Sequence, residues 1–271
     1  MEVGMIKGLY SAVSAMITGL ERQSLITHNA ANIDTPGFKQ IMMTMEEFEQ
    51  TGVFTSNSTL DPSSVFKEPI GFDPNRYVDI NYVGSVGLGV EKALEETNLE
   101  QGALLSTEEP LDLAIEGNGY FKLQTPDGMV YTRDGRFNLN ANREIVSVDG
   151  YYLMDENDQV ITIPDGSLVD IDSAGNIFID GAEVAKISLS SFVNELDSLK
   201  RASDNTFTAQ IEPDGETVGT ITQGYLESSN VDVAQLMTQM VSVVRSYEAA
   251  QQLVTIQDQL LGRSISTLGR I

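Results

Sequence analysis

His28 is the only imidazole among the 271 residues, so any Ser-His-Asp relay would have to run through it. It falls inside a helical pattern with no nucleophile motif beside it, and it reads as a polar residue on a helix face. The chain has no cysteine, which removes thiolate nucleophiles, disulfides and sulfur metal sites together. Its forty Asp and Glu residues invite a search for calcium loops. The run at 170–181 offers Asp170, Asp172, Gly175 and Asn176 in EF-hand order, but Ala174 replaces a ligand and Gly181 stands where a bidentate Glu is required. The run at 155–166 has Val160 at the glycine position. The run at 170–181 is predicted to be a β-hairpin turn, and the run at 155–166 fails as a calcium loop. Gly84, Gly87 and Gly89 have the wrong spacing for a dinucleotide fingerprint, and no Gly-Lys-Ser/Thr is present for a phosphate loop. Paired carboxylates for glycoside hydrolysis would need sugar-stacking aromatics; there is no Trp, and aromatic residues are 7%. No catalytic, cofactor-binding or metal-ligating residue is assigned, no cofactor is implied, and the chain reads as a non-enzyme.

Net charge and its placement point elsewhere. The formal net charge is -24, a surface that repels nucleic-acid phosphates and anionic membranes. In residues 1–40, Lys7, Arg22 and Lys39 cancel Glu2, Glu21 and Asp34; in 229–271, Arg245, Arg263 and Arg270 cancel Asp232, Glu248 and Asp258. The whole excess therefore lies between 41 and 228. Neutral ends suit close packing against copies of themselves, and an acidic body keeps free subunits apart. No apolar run approaches membrane-spanning length, and no cleaved secretory signal is visible.

The elements that carry these ends are helices. Ile6, Leu9, Val13, Met16 and Leu20 recur at steps of three and four, with Tyr10, Ile17 and Ile26 widening the stripe. Asn32, Thr35, Pro36 and Gly37 predict the stop and a hinge-like turn, with Phe38 as its apolar anchor. Val233, Leu236, Met240, Val243, Tyr247, Ala250, Val254, Leu261 and Leu268 fit a 3.5-residue seam, interrupted by Gln257 and Ser264. Ser229, Asn230 and Asp232 are the candidate caps. Between the helices, residues 51–75 predict a loop or long hairpin. Turn pairs at Asn118-Gly119, Asp127-Gly128, Asp134-Gly135, Asp149-Gly150, Asp165-Gly166 and Asp180-Gly181 predict an antiparallel β domain. Residues 120–123 and 176–179 are its clearest strands, and Tyr120 or Phe121 is expected in its core. The fold class is α+β: terminal helices pairing as a coiled coil around an inserted antiparallel β domain. The expected divisions are 1–38, 39–95, 96–225 and 226–271.

Three stretches resemble the flagellar rod and hook family. They are LYSAVSAM at 9–16 with HNAANIDTPGFK at 28–39, the central segment at 112–153, and the closing segment at 224–261. Within that family the pattern is most similar to the rod subunits, distal or proximal, and less to the longer hook subunit. The resemblance implies a subunit of the basal-body rod, exported without a cleaved signal and polymerised helically at the growing end. Its terminal helices would form the inner tube and its β domain the outer layer of a hollow drive shaft. The implied partners are copies of itself, neighbouring rod and hook subunits, the flagellar export apparatus, bushing rings and a rod cap, with no nucleic acid and no membrane insertion. A hook or other axial junction subunit is the alternative, and a soluble binding module with helical arms the remote one. Assembly is assigned to the seam residues Ile6, Leu9, Val13, Met16, Leu20, Val233, Leu236, Met240, Val243, Tyr247, Val254 and Leu261, and the hinge to Asn32, Thr35, Pro36, Gly37 and Phe38.

Overall fold

The computed structural model describes residues 2–47, 51–56, 80–86, 90–164, 169–203, 205–213 and 219–268. The Asp165-Gly166 pair, most of the 51–75 stretch and the side chains of Ile6, Ser264 and Leu268 lie outside the described residues. Helix α1 runs Glu2–Ala31, a single turn of helix, α2, covers Glu195–Ser198, and α3 runs Val233–Leu268. The order is helix, strands, helix, so the chain is α+β with an antiparallel centre.

The chain forms two compact units: 1–22, 44–94 and 242–271 make one, and 23–43 with 95–241 make the other. A long hairpin follows α1. Ile41–Glu47 pairs with Val90–Thr97, and Thr51–Ser56 pairs antiparallel with Ile80–Val86.

The second unit is all-β apart from the helix ends and α2. Its main sheet runs, edge to edge, Leu199–Arg201, Phe207–Ala209, Gly128–Thr132, Tyr120–Thr125, Tyr152–Leu153, Ile145–Ser147 and Phe137–Leu139, with Leu189–Ser190 added on Tyr120–Thr125. A three-stranded sheet joins Val169–Ile171, Asn176–Ile179 and Ala182–Lys186. Two short ladders close the unit: Thr220–Gln223 on Leu113–Glu116, and Tyr225–Glu227 on Leu104–Ser106. Strand alternation sends neighbouring side chains to opposite faces. Phe121 enters the main core with Leu113, Leu123, Ile145, Leu153 and Ile177, while Tyr120 enters a smaller cluster with Tyr131, Phe192 and Phe207. Both are fully buried.

Two expected hairpin turns are something else. Asn118-Gly119 joins Leu113–Glu116 to Tyr120–Thr125, strands that pair with different partners, so it is a bend between sheets. Asp134-Gly135 is a point of close approach: a Cβ at Gly135 would overlap the Leu113 carbonyl oxygen, next to the isolated bridge between Asp112 and Arg136. The Leu113 N–H donates to the Gly135 carbonyl at 3.0 Å.

Three turns share one construction. Asn140, Asp155 and Asp172 each accept, through a single side-chain oxygen, backbone N–H groups two and four residues on. The residue three along has a left-handed backbone each time: Arg143, Asp158 and Gly175. This is why the run at 170–181 resembles a calcium loop without being one. The Asp172 carboxylate is already bonded to the backbone N–H groups of Ala174 and Asn176 and to the Asn176 amide. Those bonds, the Asn176 backbone N–H first, hold the Asp172 carboxyl below the usual carboxylate range.

A carboxyl depressed on folding contributes stability that is present above its unfolded pKa of about 3.9 and is lost as pH falls through its lower folded value. Thermal denaturation of Asp172→Ala at neutral pH is therefore expected to show a lowered midpoint. Asp172→Asn retains most of the stability, because Asn140 makes the same turn with an amide oxygen. The gap between wild type and Asp172→Asn narrows as the pH is lowered past about 4.

Candidate functional site

The helix seams come first. In α3, Leu236, Val243 and Ala250 are buried, and Met240, Tyr247, Val254, Gln257 and Leu261 are half-buried, at alternating steps of four and three. Nearly every other described residue of α3 is exposed, including Val233 at the start of the proposed stripe. In α1, Leu9 and Met16 are half-buried, whereas Val13 is 39% and Leu20 51% exposed. Among the described side chains of α1, the buried positions are Ala12, Thr18, Ile26 and Asn29. Small residues line part of that face, and the Gln257 amide lies so close to the Gly8 backbone that a Cβ there would displace it. The Ser14 hydroxyl accepts the Val90 N–H at 3.3 Å.

Outside these seams, both helices carry further apolar rows. On α1 the row is Tyr10, Val13, Ile17 and Leu20; on α3, Met237, Val241 and Val244 lie on one flank of the seam and Leu253, Ile256 and Leu260 on the other, all exposed. The period was visible in the sequence, since 237, 241 and 244 repeat the same four-three steps. What the spacing did not show is which face α1 turns inward.

The turn after α1 is built from its own side chains and from the β core. The Asn32 amide donates to the His28 carbonyl at 3.1 Å, and the Thr35 hydroxyl donates to the Asn32 side-chain oxygen at 3.2 Å. The Pro36 carbonyl accepts the Asn205 amide at 2.9 Å. Gly37 has φ +70, and a Cβ there would overlap the Arg133 carbonyl carbon. Phe38 is fully buried, with the Arg201 guanidinium 5.1 Å from its ring centroid and the His28 ring 5.7 Å away. At the far end, Asp232 takes the cap, accepting the N–H groups of Ala234 at 2.8 Å and Gln235 at 3.3 Å.

Beside this turn lies a buried ionic cluster that sequence reading missed. The Glu227 side chain is 0% exposed and that of Lys39 is 1%. Glu227 Oε1 accepts Lys39 Nζ at 2.6 Å and the Gly102 N–H at 2.9 Å; Oε2 accepts Arg133 Nη1 at 3.3 Å. Lys39 Nζ also donates to the Glu100 carbonyl at 2.7 Å, and Arg133 Nη2 to the Gly117 carbonyl at 2.8 Å. Arg133 stacks over Tyr120, 4.9 Å from its centroid, and the Tyr120 hydroxyl donates to Glu195 at 3.1 Å. Burial pushes that hydroxyl well above its ordinary pKa, with Glu195 reinforcing the shift. Burial also pulls the Lys39 ammonium below its ordinary value, opposed by Glu227. Asn230 completes the arrangement: it accepts the Gln40 N–H at 2.8 Å and donates to the carbonyls of Asn98 at 2.9 Å and Glu100 at 3.0 Å. Lys39, Arg133 and Glu227 are too far apart in the chain for any spacing rule to link them.

Among the described residues no group of three or more His, Asp or Glu is placed to hold a metal ion, and no described helix is long and apolar enough to cross a membrane. The residues brought together bind segments of the chain to one another. Family models match in chain order: a flagella basal body rod protein model over 9–39, a flagellar hook protein FlgE/F/G D1 domain model over 114–179, and a flagellar basal body rod FlgEFG protein C-terminal model over 222–268. The chain belongs to the flagellar basal-body rod protein family, a structural family and not one of enzymes. It is 31% identical to the flagellar basal-body rod protein FlgG of Bacillus subtilis, over 95% of this chain and 97% of that one. It is also 31% identical to FlgG of Borreliella burgdorferi, with the same coverage of both chains. The flagellar hook-basal body complex protein FlhO of Bacillus subtilis is 26% identical over 98% of this chain and its own whole length.

The Gly37 geometry sets a direct test of the junction. Gly37→Ala is expected to cost at least about 1–3 kcal/mol from the left-handed backbone alone, with a further loss from pushing back Arg133. Denaturant titration of the purified chain measures the loss.

Proposed function

We propose that this chain is a structural subunit of the bacterial flagellar basal-body rod, and that it acts by polymerising helically with copies of itself and with neighbouring axial subunits. The observation that carries this reading is the surplus of apolar rows on the helices. α3 buries one seam and leaves Met237, Val241 and Val244 exposed on one flank and Leu253, Ile256 and Leu260 on the other, α1 exposes Tyr10, Val13, Ile17 and Leu20, and the formal charges of both ends cancel. Burying an apolar side chain on association contributes roughly 1.5–3 kcal/mol before ordering costs. A second copy of the same neutral, apolar helices meets no charge repulsion there, while the acidic middle keeps unassembled subunits apart.

On this reading, the seam residues Leu236, Met240, Val243, Tyr247, Val254 and Leu261, with Leu9 and Met16, order the helices within a subunit. Val13, Leu20 and Val233 face neighbours, and Ile6 belongs to the same assembly set. Asn32, Thr35, Pro36, Gly37 and Phe38 fix the direction in which α1 meets the β core. The drive-shaft role, the export apparatus as the route to the basal body, and the bushing rings and rod cap as further partners belong to the same proposal. The family match supports the rod over the hook alternative.

Polymerisation separates the two classes of residue. Tyr10→Asp and Met237→Asp are expected to leave the monomer's thermal midpoint within about 2 °C of wild type, as exposed substitutions do, and to abolish sedimentable filaments. Leu236→Asp is expected to lower the midpoint as well, because it buries a charge. Filaments of normal length from Tyr10→Asp and Met237→Asp would overturn the assignment.

A further inference from the structure

Residues 32–40, 98–102 and 227–231 are the non-helical segments through which the β core connects to α1, to the long hairpin and to α3. Each is short, and none is a strand of the main sheet. Their polar backbone groups are met chiefly by one another and by a few buried side chains. The Gly37 N–H donates to the Glu227 carbonyl at 2.7 Å, the Asn98 N–H to the Gln40 carbonyl at 2.8 Å, and the Ser228 N–H to the Ala103 carbonyl at 2.8 Å. The Glu227 carboxylate reaches the first segment through Lys39, the second through Gly102, and the core through Arg133.

We infer that the Glu227 carboxylate is a clamp, a single buried anion that fastens the three segments to one another and to the β core, so that the bases of α1 and α3 leave the core as one body. A buried ion cluster is a poor source of net stability, since desolvation offsets most of the attraction. Charge-assisted bonds are, however, short and directional. Here they fix four chain segments at one point, whereas an apolar plug of equal volume would let the segments slide. The mechanical use of the clamp rests on the rod reading: force arriving at either helix base is shared by all three segments instead of falling on one linker.

Hydrogen exchange of the purified full chain tests the clamp whether or not the chain polymerises, so its failure and that of the rod reading are distinguishable. In Glu227→Gln, backbone amides at 37–40, 98–103 and 228–230 are expected to exchange at least about tenfold faster, as a local opening. Those at 121–123 and 145–147 keep their protection. A second variant, Lys39→Met with Glu227→Leu, removes the Lys39–Glu227 pair at similar volume, leaves Arg133 on the Gly117 carbonyl and the Tyr120 ring, and is expected to fold with the same three segments loosened. Unchanged exchange in Glu227→Gln overturns the inference, as does loosening confined to 228–230. Wild-type protection in the double variant would show that packing alone holds the segments. Global unfolding of both variants would make the cluster a general folding element and not a clamp.

Discussion

The buried Glu227 carboxylate is the constraint around which the rest is arranged. An anion without solvent must be matched at once by donors, and those available are an ammonium from after α1, a backbone N–H from after the long hairpin and a guanidinium from the β core. Once these are in place, much else follows. Arg133 lies against Gly37, so position 37 has no room for a side chain. Phe38 is held under Arg201. Asn230 is placed to satisfy three backbone groups just before Asp232 caps α3.

The β core supplies the rigid side of this arrangement. Tyr120 and Phe121 sit back to back on one strand and fill two separate clusters. The Tyr120 ring is also the platform on which Arg133 stacks. The core therefore does more than fill space: its second cluster orients the cation that meets Glu227. The helices supply the other side, with one seam turned inward and further apolar rows exposed.

How much of this was readable in the sequence depends on the range of the interaction. The seam of α3 was legible because a four-three repeat is a local pattern, and the strands at 120–123 and 176–179 were legible for the same reason. The inward face of α1 was not. Small residues such as Gly8 and Ala12 carry little hydrophobic signal yet permit close approach, so the face α1 buries includes Ala12 while the larger Val13 and Leu20 stay exposed. Asn118-Gly119 and Asp134-Gly135 match hairpin turns by composition, but their glycines answer to sheet crossing and backbone crowding, which are tertiary. The ionic cluster joins residues 39, 133 and 227, and no local rule reaches across such distances.

Limited proteolysis of the purified monomer, with every early cut mapped by mass, tests the central claim most directly. The account predicts that α1 and α3 are trimmed back toward residues 23 and 241, because their outer stripes are completed only by neighbouring copies, while 32–40, 98–102 and 227–231 survive uncut. Early cleavage within any of those three segments, with the helices intact, would contradict it.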